Sequence, residues 1–369
     1  MPVLTLLVEQ IFAPVPGGTG RYSREVAAAV GASVPADWRV RSVAALHRDV
    51  SGARVPGVQG PVRLPVEARL LARLWDRGLP PTLRGTVAHA LTPLAPARLR
   101  PGQALVVTVH DAVPYTHPGT LTPRGASWHR RMIERAARTA GAIVVPTEAV
   151  LEELRAAGIG GRMVVVGEGT AAALSAEVGV ADIEAARARL RLPARYLLTV
   201  GTLEPRKGLD VLLDAMAADG NRQVHLAVVG QRGWGDSDVA QEAERRGLSA
   251  RVHVLGRIPD ADLAAVLAGA AASVVPSRSE GFGLPLLEAM ARGVPVIHSD
   301  APALVEVAGG AGLIVPVGDV AGLATAIAVV LDHPEKAAGM AAAGRSRALR
   351  YSWDSVATQL WALYREVAP

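Results

Sequence analysis

The sequence predicts an α/β protein built from two doubly wound domains. Three observations carry this. Apolar strand-like runs alternate with helical stretches along the chain, and the alternation occurs twice. The runs are continuously apolar, as strands of a parallel sheet covered on both faces must be. The chain has 369 residues, enough for two cores. In the first half the strands are expected at 3–8, 40–46, 86–91, 104–110, 142–147 and 163–167. In the second half they are expected at 196–201, 224–230, 251–256, 272–276, 295–299 and 312–316. The boundaries that follow are a first domain over 1–170, a linker over 171–194 that is rich in Ala and Arg, and a second domain over 195–350. Residues 351–369 place Trp353, Val356, Leu360, Leu363 and Tyr364 at helical spacing, so a final helix is expected there. Two doubly wound domains imply a ligand cleft at the carboxyl ends of the strands.

Composition narrows the function. No apolar run approaches the roughly 18 residues of a transmembrane helix. The opening MPVLTLLVEQ lacks a basic segment and reaches Glu9 quickly, which reads as a first strand and not a signal peptide. There are no cysteines, which excludes disulfides, thiolate catalysis and cysteine-ligated metal centres. A cytoplasmic enzyme is the simplest expectation. The net charge of +5 is uneven. Residues 1–180 hold 20 Arg against 13 acids, and residues 181–369 hold 19 Lys or Arg against 21 acids. The basic first half suggests an anionic partner, either a phosphorylated acceptor or an anionic membrane surface at the inner face. Neither aromatic RNA-binding signatures nor zinc-finger spacings occur, so nucleic acid is not expected.

The most informative stretch is SRSEGFGLPLLE, residues 277–288. It joins an apolar strand to a helix with Pro285 in its first turn and Gly293 past its end. A glycine loop between strand and helix offers backbone N–H groups to a phosphate, and Gly281 and Gly283 permit close approach. Glu280 and Glu288 bracket the loop. A phosphate alone has no use for two acids; a phosphate attached to sugars does, because hydroxyls need strong acceptors. The plainer reading of Glu288 is a helix-face acid near a positive helix end.

A second motif, GTLEPRKGLDVLLDAM at 201–216, follows another strand. Gly201 ends the strand, and Arg206 and Lys207 sit in the loop. The chain has 37 Arg and only two Lys, at 207 and 336. A Lys in such a loop points to a place where a compact charge fits and a planar fork does not; Lys336 looks bland. Glu204 is open between a solvated partner for Arg206 and a direct role. His110 and Asp111 end a first-domain strand and could be a base with its orienter, or structural. His117 reads as a loop residue. Gly17, Gly18, Thr19 and Gly20 precede a helical stretch and could present amides, or be a simple turn. They half-match a dinucleotide fingerprint, but Ser23 replaces its last glycine and no ribose-binding acid follows near Leu46 to Arg48. Arg69, Arg73 and Arg77 beside Leu70, Leu74 and Trp75 form either an interfacial helix or a solvated basic face on a Leu core, and the second is favoured.

The string EGFGLPLLEAMARGVPVI, 280–297, resembles the retaining glycosyltransferases of family 4, which have the GT-B fold. The loops GTLEPRKG, VTVHDAVPYTHPG and GGTGRYSREVAAAV are similar to that family too. The resemblance implies two Rossmann-like domains facing across a cleft, the first on the acceptor side and the second holding the nucleotide sugar. The final helix is implied to cross back to the first domain. It implies that Arg206 and Lys207 hold a diphosphate, Glu280 the sugar hydroxyls and Glu288 the ribose. Gly18, Gly201, Ile258, Gly281, Phe282, Gly283 and Leu284 are implied around the donor, with Arg257 a weaker candidate, and His110 beside the donor sugar. The loop around His110 is closest to mannosyltransferases, which tilts the donor towards GDP-mannose. No cofactor and no metal are expected; Asp236 to Asp238 and Asp260 to Asp262 look like helix caps or surface acids, with Asp260 an N-cap. Glu168 and Gly169 depart from the Asn-Gly pair common in the family, which puts the acceptor contacts of that loop in question. The acceptor is unnamed: phosphorylated, glycan or lipid-linked. The rival readings are a GT-B nucleotide-sugar epimerase and a sugar-nucleotide-binding protein without activity.

Overall fold

The computed structural model describes residues 1–218, 224–233 and 238–369. It divides into two compact units: Met1–Glu168 with Ser352–Pro369, and Gly169–Tyr351.

The first unit is built on seven strands: β1 (Val3–Leu7), β2 (Arg39–Ala44), β3 (Gln59–Arg63), β4 (Val87–Ala90), β5 (Ala104–Thr108), β6 (Ala142–Val145) and β7 (Met163–Val165). All pair in parallel, in the order β3-β2-β1-β4-β5-β6-β7. The period-two alternation of a strand sends successive residues to opposite faces. Val106 on β5 and Val144 on β6 join one apolar layer, while Val107 and Val145 join the other. The first layer is closed by Tyr22, Val26 and Val30 of the helix Gly17–Ala32 and by Val356, Leu360 and Tyr364 of the helix Trp353–Val367. The second is closed by Leu71 and Trp75, Ile133 and Leu154 from three further helices. The second unit repeats the plan with β8 (Tyr196–Val200), β9 (His225–Val229), β10 (Val252–Gly256), β11 (Ala272–Val275), β12 (Val296–Ser299) and β13 (Leu313–Val315). These are also parallel, in the order β10-β9-β8-β11-β12-β13. In each sheet the order reverses beside its first strand, between β1 and β4 and between β8 and β11, and ligands of such sheets bind at that reversal.

The structure amends four expectations. β3 was missed because QGPVR is polar, carries Gly60 and Pro61, and lies at a sheet edge, where Pro is tolerated and the apolar signal is weak. Residues 171–194, expected as a linker, carry the helices Ala172–Ser175 and Val180–Leu190 and belong to the second unit. Ala171, Leu174 and Ala186 are buried in that unit's core, which is why the segment is not free. The glycines at 17, 18 and 20 do not precede their helix; they form its first turn. Asp260 is the first helical residue after Pro259 and not the N-cap.

The last helix, Trp353–Val367, starts where the Ser352 hydroxyl accepts the Ser355 N–H at 3.1 Å. Its Tyr364 hydroxyl meets His89 Nδ1 at 2.7 Å, and His89 Nε2 meets Thr108 Oγ1 at 2.8 Å. The helix Ala68–Asp76 turns Leu71 and Trp75 inward and leaves Arg69 and Arg73 outside, the solvated-face arrangement. Among the described residues no helix is long and apolar enough to cross a membrane.

Candidate functional site

β8 and β11 are neighbours at the reversal of the second sheet, so the loops that follow them leave the same edge side by side. Those loops carry the two motifs. The first runs from Gly201 to Gly208 and the second from Pro276 to Gly283. Gly208 has φ +65°, and a Cβ there would lie 2.1 Å from the Pro276 carbonyl oxygen, so glycine is what lets the two loops touch. Four further hydrogen bonds, all donated by Arg278, lock them together. The Arg278 N–H donates to the Arg206 carbonyl at 2.8 Å. The Arg278 guanidinium forks onto both oxygens of Asp210, at 2.9 and 2.6 Å, and reaches the Pro205 carbonyl at 2.7 Å.

Locked in this way, the loops form a charge cluster. Lys207 Nζ donates to Glu280 Oε1 at 2.6 Å, and the Ser277 hydroxyl donates to the same oxygen at 2.7 Å. Arg206 Nη1 donates to Glu280 Oε2 at 3.2 Å and to the Ser279 carbonyl at 2.8 Å. The remaining face of Arg206 is taken by Glu204 Oε1, at 2.7 Å from Nη2 and 3.1 Å from Nε. Glu204 is therefore a close partner of Arg206 and not a solvated one, its side chain 14% exposed. Burial pushes the Glu280 carboxyl up. The Lys207 ammonium and Arg206 guanidinium more than reverse that and hold it at about 2. It is ionised at any physiological pH.

Behind the cluster the helix Leu284–Ala291 begins. Gly283 supplies its N-cap with φ +97°, a backbone state that side chains other than glycine's rarely adopt. The positive end of that helix faces the loop that carries Glu280. Glu288 lies on the same helix and is 3% exposed, so it is a buried acid and not a surface acid on a helix face. Phe282 and Leu284 turn into the core, where the Phe282 ring meets Tyr351 edge-on at 5.5 Å. Their side chains are structural, and only their backbone is available to a ligand. Gly201 and Gly281 lie in the two loops. Ile258 is half-buried against the core after β10, and Arg257 is exposed. Asp238 accepts from the N–H groups of Ala240 and Gln241 and so caps a helix. Asp236 and Ser237 lie outside the described residues.

In the first unit, the loops after β1, β4 and β5 surround a cavity of about 350 Å³. His110 lines it. The ring is fixed by Nε2, which donates to the Leu91 carbonyl at 2.8 Å, and by the Tyr22 ring edge-on at 4.6 Å. Its Nδ1 lies 3.8 Å from Glu168 Oε1. Glu168 is 4% exposed, so the departure from the family's Asn-Gly pair sets a buried carboxylate beside His110. Asp111 accepts the Val113 N–H at 3.1 Å, and His117 sits in a loop bonded to Thr116. Gly18 is in the first turn of its helix. The helix bends close to Pro16 at Gly20, where a Cβ would meet the proline ring carbon at 2.4 Å. Ser277 as a partner of Glu280, and Glu9, Trp128 and His129 around the cavity, were not found from sequence. Ser277 opens the 277–288 motif and reaches Glu280 within the same loop, whereas the three cavity residues lie in no motif of their own and are brought together by the fold.

Family models match both halves. "Glycosyltransferase Family 4" covers residues 16–172 and "Glycosyl transferases group 1" covers 182–347. The chain belongs to the family-4 glycosyltransferases. Among curated relatives of this family-4 chain, the O-antigen chain mannosyltransferase B of Escherichia coli is 38% identical over 173 residues, 46% of this chain and 45% of that one. The phosphatidyl-myo-inositol mannosyltransferase of Mycobacterium leprae is 38% identical over 170 residues, 45% and 44% of the two chains. The matched stretch thus spans about half the length of the curated relatives. Of solved structures, the sucrose-phosphate synthase of Thermosynechococcus elongatus superposes with a TM-score of 0.74 at 26% identity over 99% of both chains. The Anabaena protein HepE, solved with UDP-glucose, gives 0.77 at 21% over 99% of this chain and 100% of that one. The fold of this family-4 member is GT-B, with two Rossmann-like domains.

Proposed function

We propose that this family-4 protein transfers a hexose, mannose by preference, from a nucleotide-diphosphate sugar to an acceptor hydroxyl with retention of anomeric configuration. One observation carries the reading. Arg206, Lys207, Glu280 and the helix start at Gly283 converge where β8 and β11 end, at the reversal of the second sheet. Transfer requires stabilising the charge that develops on a departing diphosphate, and fixed cations with a helix N-terminus do that without reorganising. In this reading Glu280 orients both cations and takes sugar hydroxyls, Glu288 takes the ribose, and His110 is the first-domain residue assigned to the sugar. Support for mannose comes from the loop around His110 and from the names of the E. coli and M. leprae relatives. The same names support an acceptor that is a glycan or a lipid-linked polyol, met at the membrane surface by a peripheral enzyme.

The cations stand in for a metal in this mechanism. Among the described residues no group of three or more His, Cys, Asp or Glu could hold one. The test is to incubate the protein with labelled GDP-mannose and UDP-glucose, with and without excess EDTA. Transfer or slow hydrolysis of GDP-mannose, undiminished by EDTA, is the expected result. Activity abolished by EDTA and restored by Mg²⁺ or Mn²⁺ would remove the metal-free mechanism. An isomerised sugar nucleotide would favour an epimerase, and binding without turnover a carrier.

A further inference from the structure

Three of the arginines that make the first half basic gather towards the amino ends of the first sheet's strands, away from the loops that surround the cavity. A hydrogen-bonded frame places them. Arg41 lies on β2 directly beside Thr5 of β1, and its Nε donates to Thr5 Oγ1 at 2.9 Å. The Thr5 hydroxyl, on a fully buried residue, donates in turn to the Arg84 carbonyl just ahead of β4. Gly85 makes that approach possible: its φ is +123°, and a Cβ there would lie 2.7 Å from Thr5 Oγ1 and 2.8 Å from the Val3 carbonyl oxygen. Arg100, just ahead of β5, is tied to the same segment. Its Nε donates to Thr82 Oγ1 at 3.2 Å. The Gln103 side chain accepts the Arg100 N–H at 3.4 Å and donates to the Gly85 carbonyl at 2.9 Å.

No negative charge answers this cluster. Elsewhere in the chain Arg131 and Arg135 reach Asp76, Arg246 reaches Asp214 and Glu242, and Arg278 reaches Asp210. Among the described residues no acid pairs with Arg41, Arg84 or Arg100. Arg41 is half-buried, and among the described residues only its Nε is bonded, so both terminal amino groups keep their donors. Burial first, and then the charges of Arg84 and Arg100, push its pKa down from the ordinary arginine value. Taking a charge out of water costs free energy unless a partner offsets it, and like charges nearby add to that cost. The fold thus holds three cations in a frame that gains from an anion.

We propose that Arg41, Arg84 and Arg100 form an anion site that takes a phosphate dianion, either the free ion or the terminal group of a phosphorylated small molecule. Guanidinium forks match phosphate oxygens in pairs and keep their charge at any working pH. A carboxylate has two oxygens in one plane, which two arginines satisfy; a tetrahedral phosphate has oxygens left for a third. The site is at the amino ends of the strands, whereas the loops assigned to the sugar follow the carboxyl ends, so it does not depend on the transferase reading. An anion bound there relieves the repulsion among the three charges and stabilises the first unit.

The test is titration calorimetry on the intact protein at constant ionic strength, with inorganic phosphate, glycerol 1-phosphate and phosphatidylglycerol vesicles. Saturable binding of phosphate or of its ester is expected. It should weaken at least about 10-fold in Arg41→Gln and in the double variant Arg84→Gln/Arg100→Gln, whose two side chains are exposed and whose loss leaves the fold intact. Arg41→Lys, which keeps the charge and loses the fork, should bind more weakly than wild type. Arg73→Gln, an exposed arginine elsewhere in the unit, should bind as wild type does. Phosphate should raise the thermal midpoint of the wild type and not of the double variant. Tighter binding of the free ion identifies it as the occupant, and tighter binding of the ester identifies a phosphorylated small molecule. Binding that survives the double variant and is lost in Lys207→Ala belongs to the loops of the second unit and overturns the proposal. No phosphate binding, attachment to vesicles alone, or an Arg73→Gln effect equal to that of the double variant would overturn it too, the last two because they report diffuse surface charge and not a site.

Discussion

Arg206 and Lys207 bring two positive charges to the strand ends, and Glu204 and Glu280 answer them with two negative ones within hydrogen-bond reach. The cluster is formally neutral, so in the proposed mechanism it offers a diphosphate orientation as much as charge. Lys207 is the compact point charge of the set, and its stem packs over Gly201, where a Cβ would lie 3.5 Å from Cε. Lys207→Ala should lower turnover about 100-fold, the equivalent of about 3 kcal/mol of transition-state stabilisation; near-unaltered steady-state rates would take Lys207 out of the mechanism. The acids should separate. Glu280→Gln removes one negative charge from a balanced cluster, so the nucleotide diphosphate should bind as well as before or more tightly while transfer falls. Glu288→Gln should weaken the nucleotide itself by about 1.5–3 kcal/mol, the usual loss for a charged hydrogen-bond partner. Calorimetry with the nucleotide diphosphate beside transfer rates decides, and a Glu280→Gln protein that loses nucleotide affinity while Glu288→Gln keeps it reverses the two roles.

At the scale of elements, the site depends on two loops meeting, and Gly208 is where they meet. It is in the left-handed region, starts the helix Leu209–Ala217, and sits against the Pro276 carbonyl. Gly208→Ala adds about 1–3 kcal/mol of backbone strain and forces the β8 and β11 loops apart. The expected result is a lower thermal midpoint together with a loss of transfer larger than the loss of fold, because Arg206 and Lys207 separate from Glu280. A variant with wild-type midpoint and wild-type activity would show that the contact is not needed. The motif strands and their helices were legible because apolar runs bounded by Gly and Pro are a strong local signal. β3 was not, since a polar edge strand buries only Pro61. The pairing of Ser277 with Glu280 and of His110 with Glu168 was not legible either, because each depends on side-chain direction at a strand end.

For the whole molecule, the buried polar line Tyr364, His89, Thr108 and Tyr22 ties the last helix to the first sheet. Burial first, with His110 nearby adding to it, holds the His89 pKa down at about 3. A depressed histidine is neutral in the fold and protonates in the unfolded chain below about 6.5, so its contribution is present above that pH and is lost as pH falls towards 3. The Glu280 contribution has the same sign: present above the ordinary carboxyl range and lost as pH falls through about 2. Stability should therefore decline in acid in two stages. His89→Gln should lower the thermal midpoint at pH 7.5 and shrink the further drop between pH 7.5 and 5. An equal drop in variant and wild type would mean that His89 does not set the first stage.

The sequence by itself determined the local units: the parallel strands, the glycine loops with their charges, the absence of thiol chemistry, and the family. These follow from neighbours in the chain, since periodicity, turn residues and loop motifs are short-range properties. Only the tertiary structure decided which loops meet. The strand order sets β8 beside β11, and so Arg206 and Lys207 against Glu280, some 73 residues apart. The same kind of reversal in the first sheet gathers Glu9, Asp111 and Trp128 around one cavity, and so puts two acids, with no Lys or Arg among the described lining residues, into the half of the chain that is basic by composition. Net charge sums over a domain, but recognition is set by the few groups that a fold turns inward, and no count along the chain contains that direction.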